Sequence, residues 1–501
     1  MELFRGKKLI IPRSKNWKLI DETGKYSKKQ RLKCKTPSGK ECTLYPFPAG
    51  MEVLKIFKPL NWLDPTAGWG DRLLGAMASD IDLYVGTDPN PCLHPNYKSM
   101  IYVLGKYSPN PKAKFVLIES PFETADLSPY SNFDLVYTSP PYFDYEKYSK
   151  NNTQSHLTYT NEDSWYKNFL QVSILKSIKL LKSNGYMVLY IGQEKNKSYM
   201  EKFLPWVVSL PNIYYLGCIF YSNKKFKDPH PIFIYKKANV IPSRLYNPVP
   251  IIQSIKIENN LYNIIRDDYV VGGTKTRAGL LIIQSILTNK NIKQLIYGGA
   301  ANGYAQVCIG YCLYLLKRPD IKLILPVQKI STREIGSLHK LVRFYHKNTQ
   351  YIEINDSMKS LYKIVDSYTA ESDYIIPFGF GFEEYENMLL KQLTKHKSYF
   401  VNVKRLWLVI GSGTILRTLQ KLLPNTYFLG VQVGREIKQT DIYDSSRLKL
   451  YVSSQKFYQE YNGTVNYHTV NSYDAKVLEF VKIDGQSGDY IWNVGGIHQH
   501  L

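Results

Sequence analysis

"NWLDPTAGWGDRLLGA", residues 61–76, runs from an apolar strand-like stretch through a glycine turn into a helix-like stretch. Gly68 and Gly70 let the backbone approach a ligand, and the helix that follows adds exposed amides at its start. About twenty residues on, "YVGTDPN" ends a second strand at Asp88. An acid at that place accepts hydrogen bonds from ribose hydroxyls in dinucleotide-binding folds. The glycines do not keep the GxGxxG spacing, so they gain weight only together with Asp64 and Asp88. Further out, "KAKFVLIES", "FDLVYTS" and "YMVLYIG" read as strands, and "IYYLGCIFYS" with "HPIFIYKK" reads as a closing hairpin. "WYKNFLQVSILKSIKLLKSNG" has helical spacing, with Gly185 expected as its C-cap. This alternation predicts a largely parallel sheet flanked by helices.

One strand exit stands out. "VYTSPPYFDYEKYS", residues 136–149, places Pro140 and Pro141 directly after strand-forming residues, then adds aromatics. Proline cannot donate to a ladder, so the strand stops and the next turn is stiff. Rigid aromatic loops at strand ends are frequent functional sites, though an ordinary strand exit has the same outline.

Composition sets bounds. The chain has 501 residues, 44% hydrophobic and 21% charged, ample for several cores. No run of eighteen apolar residues is present, so no membrane partner is expected. The first twenty residues lack a signal-peptide core. Six scattered cysteines fit a reducing compartment, a cytoplasmic location is expected, and no Cys/His spacing reads as a metal site. The net charge is +23, and residues 1–40 carry thirteen Lys/Arg against Glu2, Asp21 and Glu22. Such an arm suits a phosphate backbone, although solubility alone is the plainer reading.

The chain divides as a basic arm at 1–45, an α/β domain at 46–240, a linker at 241–255 and a second α/β domain at 256–501. Pro242, Pro248 and Pro250 mark the linker. In the second domain "DDYVVGGTKTRAGLL" sets Lys275 behind two glycines and Thr274. Later, "LWLVIGSGTILRTLQ" is a strand, a small-residue turn at Gly411, Ser412, Gly413 and Thr414, and a helix. Amides at such a turn can cradle a phosphate, and a lysine near a bound aldehyde can form a Schiff base. Taken singly, each is bland: most lysines are solvated, and most such turns merely connect elements.

Residues of about 50–237 resemble S-adenosylmethionine-dependent DNA amino-methyltransferases, with phage and large-virus members among the look-alikes. "DPTAGWG" resembles that family's cofactor motif and "TSPPY" its catalytic motif, in the form shared by N4-cytosine and N6-adenine enzymes. The resemblance implies a class I methyltransferase (Rossmann-like) fold with S-adenosylmethionine as cofactor and duplex DNA with a flipped base as partner. It implies that Ser139 and the Pro140 carbonyl accept from the target amine and that Tyr142 stacks on the base, with Pro141 completing the rigid loop. Phe143 assists. On the cofactor side it implies Asp64, Pro65, Thr66, Gly68, Trp69 and Gly70 around the methionine part, with Asp64 facing its amino group. Asp88 would hold the ribose, and Glu119 or Glu123 would border the adenine. Arg72 is open to a structural ion pair instead.

Residues of about 250–501 resemble fold type II pyridoxal-phosphate enzymes, nearest to the aminocyclopropane-carboxylate deaminase and D-cysteine desulfhydrase group. "GGTKTR" resembles the segment of the cofactor-bearing lysine, "GSGT" the phosphate turn and "IWNVGG" the late strand with paired glycines. This implies pyridoxal 5'-phosphate held by Lys275, Gly411, Ser412, Gly413 and Thr414, with Asn302 against its ring, and a homodimer through this domain. The sequence departs from the family at 298–306, "GGAANGYAQ", and at Val494, where a polar residue is expected. Three functions follow: DNA amino-methylation, pyridoxal-phosphate chemistry in base modification, or non-catalytic nucleic-acid binding.

Overall fold

The computed structural model describes residues 5–10, 47–143, 152–191, 199–222, 230–289, 291–330, 332–355 and 358–496. They form two compact units that divide between Val240 and Ile241. The architecture is α/β throughout: one eight-stranded sheet in the first unit, then a six-stranded and a four-stranded sheet in the second. Within the described residues no helix is long and apolar enough to cross a membrane.

The first unit is one eight-stranded sheet. Its strands are β1 (Arg5–Ile10), β2 (Asn61–Asp64), β3 (Leu83–Thr87), β4 (Lys114–Ile118), β5 (Phe133–Thr138), β6 (Leu181–Tyr190), β7 (Ile213–Ser222) and β8 (His230–Lys237). They lie in the order β1-β7-β8-β6-β5-β2-β3-β4. Only β8 is antiparallel to its neighbours, β6 and β7. The central strands are apolar because both faces are covered. Trp62 of β2 shows the fit: its ring meets Tyr84 edge-on at 5.0 Å and stacks on Tyr137 at 5.6 Å. Its indole N–H donates to the Tyr137 carbonyl at 3.2 Å. Because β2 pairs with both β3 and β5, the C-terminal ends of these three strands are neighbours. Strand order reverses at β2, where ligands enter such sheets.

Two expectations change here. The arm is not wholly apart from the domain, since Arg5–Ile10 adds β1 in parallel to β7. The remainder of the arm, 1–4 and 11–45, lies outside the described residues. Gly185 is not a helix C-cap: helix α3 (Val172–Leu180) stops earlier, and Gly185 lies inside β6. The left-handed residue is Asn184 at φ 67°. Gly185 is needed in the strand, because a Cβ there would come within 2.8 Å of Leu181 Cγ. Upstream, α1 (Asp71–Met77) follows the glycine turn and α2 (His94–Leu104) follows Asp88.

The second unit has β9 (Ile252–Ile257), β10 (Asn260–Arg266), β11 (Gln294–Ile296), β12 (Lys322–Gln328), β13 (Thr349–Ile354), β14 (Asp373–Ile375), β15 (Arg405–Ile410), β16 (Tyr427–Gln432), β17 (Leu448–Val452) and β18 (Tyr490–Asn493). The six-stranded sheet runs β17-β16-β15-β18-β10-β9 and the four-stranded one β13-β12-β11-β14. Apart from the β9–β10 hairpin, every pairing is parallel. The linker therefore ends earlier than its prolines suggested. Ile252 onward is strand β9, whose Ile255 and Ile257 are buried. Asn247, within the linker, is also buried and accepts from Arg277 Nη1 at 2.7 Å. Helices α4 (Thr276–Asn289), α5 (Ala305–Leu315) and α6 (Thr414–Leu422) start at the turns that carry the candidate site.

Candidate functional sites

In the first unit the glycine turn is shaped from below. Asp64 is fully buried at the end of β2. Arg72 Nε and the Tyr84 hydroxyl donate to its Oδ2 at 2.9 and 2.8 Å. The Thr138 hydroxyl donates to its Oδ1 at 3.1 Å, and the Thr66 amide reaches the same oxygen at 3.3 Å. Asp64, expected at the cofactor's amino group, thus lies beneath the loop as its organiser, and Arg72 is its ion-pair partner. Pro65 adds its carbonyl as acceptor for Thr87 Oγ1 at 2.7 Å.

Gly68 and Gly70 have φ of 57° and 89°, a region costly for a side chain. The space where Gly68 would carry a Cβ is open, its nearest neighbour being Thr66 O at 3.8 Å. The Gly68 amide donates to Asp88 Oδ2 at 3.0 Å, and Asn90 N donates to Oδ1 at 2.9 Å. Each carboxylate oxygen can accept a further bond, so Asp88 can still take a ribose hydroxyl. Burial raises the Asp88 pKa from 3.8 to about 6, against the lowering effect of those two amides. Trp69 is half-buried on the turn. Glu119 is exposed just past β4, whereas Glu123 is half-buried and accepts from the Tyr159 hydroxyl at 3.2 Å. Burial also raises the Glu123 pKa.

The proline loop is joined to this turn by one residue. The Thr66 hydroxyl donates to the Ser139 carbonyl at 2.8 Å and lies 2.6 Å from the Thr138 hydroxyl. Pro140 is buried, while Ser139, Pro141 and Tyr142 are half-buried. Tyr142 packs against the unit's core, and Phe143 is buried in it, 5.8 Å from the Trp165 ring. The continuation at 144–151 lies outside the described residues. The structure thus brings together Asp88, Gly68, Thr66 and Ser139.

In the second unit a small cavity gathers residues widely separated in sequence. Lys275, Asn302, Gly411, Ser412 and Val494 all line it. Lys275 closes the short turn Gly273–Lys275, and burial lowers its pKa. Gly413 caps α6 at φ 78°, where a Cβ would meet Asp441 O at 2.5 Å. Ser412 Oγ lies 3.0 Å from Thr414 Oγ1, so two hydroxyls flank the helix start. Thr414 itself is buried. Asn302 points its amide nitrogen to Ser472 Oγ at 2.8 Å and Phe457 O at 3.0 Å.

Tyr473 and Asp474 are among the lining residues that escaped the sequence reading. Asp474 Oδ2 accepts from the Gly495 amide at 3.1 Å. Its Oδ1 is buried with no hydrogen-bond partner among the described residues. Burial raises its pKa from 3.8 to about 8, and the Lys275 charge opposes that rise. "NSYDAK" at 471–476 gave no signal beyond that of a polar helix start. Asp474 and Val494 thus line one cavity from two different segments.

No protein-family model and no curated protein matches this chain. Solved structures do match. An ACC deaminase homologue is 17% identical over 50% of this chain and 91% of its own, with TM-score 0.39. Escherichia coli diaminopropionate ammonia lyase in apo form is 9% identical over 51% and 86%, with TM-score 0.38. TrmN from Thermus thermophilus is 14% identical over 38% and 48%, with TM-score 0.26.

Proposed function

We propose that the first unit transfers a methyl group from S-adenosylmethionine to the exocyclic amine of adenine or cytosine in DNA. The observation that carries this reading is the Thr66 bridge, which ties the glycine turn to the Ser139 carbonyl at 2.8 Å. The residues present fit the cofactor: open space at Gly68 and spare acceptor capacity on Asp88. When bound, the cofactor supplies an electrophilic methyl group on sulfonium. The chain does the rest. An exocyclic amine is a weak nucleophile because its lone pair conjugates into the ring. Ser139 and the Pro140 carbonyl accept its N–H bonds and free that pair. Tyr142 stacks on the base once it is flipped from the duplex, and such stacking returns about 1–3 kcal/mol of the unstacking cost. The basic arm and the segment 143–165 serve as DNA contacts. Nucleoside analysis of DNA from cells expressing the chain should reveal N6-methyladenine or N4-methylcytosine, lost with Tyr142→Ala. Unmodified DNA from the wild-type culture would reject the reading.

A second reading concerns the other unit, and the orphaned Asp474 Oδ1 favours it. We infer that this cavity holds pyridoxal 5'-phosphate. The α6 start and the Ser412 and Thr414 hydroxyls suit its phosphate, Lys275 its aldehyde carbon and Asp474 its ring nitrogen. When bound, the group supplies an electron sink for carbanion chemistry. Asp474 would hold a proton on the ring nitrogen, and Lys275, its pKa lowered by burial, would offer a more readily deprotonated amine. Borohydride reduction after incubation with pyridoxal phosphate should leave an adduct on Lys275. An unmodified Lys275 peptide would reject it.

A further inference from the structure

The methyl-transfer reading uses the C-terminal ends of β2, β3 and β5. The opposite end of the same unit carries a surface that this reading leaves unused. Helix α2 runs back from Asp88 to that end, and a short turn then enters β4 at Lys114. From Asn90 to Ile118 the chain has four lysines and no acid. Lys98, Tyr102 and Lys106 recur at every fourth position, so they share one stripe of α2 and its extension. The stripe faces solvent: Tyr102 is 84% exposed and the adjoining Tyr107 is 74% exposed. Lys106 Nζ sits 5.3 Å from the Tyr107 ring centre. Lys112 and Lys114 are exposed on the connection into β4, which forms the outer edge of the sheet. Among the described residues none of these four ammonium groups reaches a carboxylate. Asp82, which approaches the segment, is held by Asn110 Nδ2 at 2.9 Å.

Two exposed rings, interleaved with lysines that reach no carboxylate among the described residues, match one chemistry closely. Phosphates answer the lysines, and unstacked bases answer the rings. A closed duplex hides its base faces and would leave both tyrosines idle. A lipid surface would call for Leu, Phe or Trp on this stripe, where Tyr stands instead. We propose that the α2–β4 face binds single-stranded nucleic acid, with Tyr102 and Tyr107 as stacking platforms and Lys98, Lys106, Lys112 and Lys114 along the backbone. The face lies away from the proline loop, so it does not depend on methyl transfer.

The test uses the full chain, fluorescein-labelled oligothymidylate and a hairpin duplex of the same charge, with anisotropy read across a salt series. Tyr102→Ala with Tyr107→Ala should weaken oligothymidylate binding about ten-fold or more, and duplex binding little. Lys98→Gln with Lys106→Gln should lessen the salt slope for the single strand by about 1.4. All four side chains are exposed, so the variants should fold as the wild type does. Unchanged oligothymidylate affinity in the tyrosine variant would overturn the proposal. So would equal losses for duplex and single strand, or a tyrosine-dependent affinity for anionic vesicles that the oligonucleotide does not share.

Discussion

Replacing Asp474 with asparagine is expected to flatten the pH dependence of stability in the cofactor-free chain. In the unfolded chain this carboxyl ionises near its ordinary value of 3.8, and in the folded chain near 8. Between those values the folded state binds the extra proton, so stability falls as pH rises, by about 1.4 kcal/mol per unit. The contribution is fully present below 3.8 and is lost as pH passes through 8. From pH 5 to pH 8 the loss is about 4 kcal/mol, large beside the 5–15 kcal/mol of a typical domain. Asparagine keeps the shape and removes the titration. Any fixed cost of placing its amide beside the Gly495 N–H is the same at every pH and drops out of the comparison. Urea unfolding from pH 5 to pH 9, followed by tryptophan emission, gives both curves. The wild type should lose ground to Asp474→Asn by about 4 kcal/mol between pH 5 and pH 8. Curves that stay parallel to within about 1 kcal/mol would refute the reasoning, because Asp474 would then ionise normally in the cavity.

Thr66→Val keeps the volume and deletes the bond to the Ser139 carbonyl; methyl transfer should fall about ten-fold or more while calorimetric S-adenosylmethionine affinity holds, the cost of one lost buried hydrogen bond. Ionised Asp88 is the stronger acceptor for a ribose hydroxyl, so wild-type affinity for S-adenosylmethionine should fall below about pH 6, and Asp88→Ala should be weak and flat across that range by calorimetry. Replacing Lys28, Lys29 and Arg31 with glutamine should lessen the salt slope of duplex binding by about 2.7, at about 0.9 per phosphate, and an unchanged slope would remove the arm from the backbone.

What the sequence disclosed were features whose cause is local. Gly68 and Gly70 are needed for their own φ, Pro140 and Pro141 end a strand by themselves, and the Gly411–Thr414 turn shapes its own helix start. These were legible as local shapes, and the structure sets Lys275, the last residue of its turn, on the same cavity as Gly411 and Ser412. Features decided by remote partners were not. Strand β1 exists because β7 offers an edge, and nothing within "RGKKLI" announces that. Asp64 looked like a ligand because its nearest sequence context is a cofactor turn. Its fate was set by Tyr84 and Thr138, which arrive from other strands. Asp474 was invisible for the same reason: its burial and its orphaned oxygen arise from a cavity assembled by seven separate segments.

The turn that bears Lys275 leans on β18. A Cβ on Gly273 would fall 2.2 Å from Val494 O, the Thr274 amide donates to that same oxygen at 3.0 Å, and Trp492 Nε1 donates to Thr274 Oγ1 across 218 positions of chain. Strand β18 also lies in mid-sheet, between β15 and β10. During synthesis the lysine therefore leaves the ribosome long before its backing does. At 5–20 residues per second the gap is roughly 10–40 s. Throughout that interval β10 has β9 on one side but lacks β18 on the other, and the first unit is already synthesised. A message cut between codons 240 and 490 would then yield a chain that holds the whole first unit and, in its second, a lysine turn without the strand it leans on.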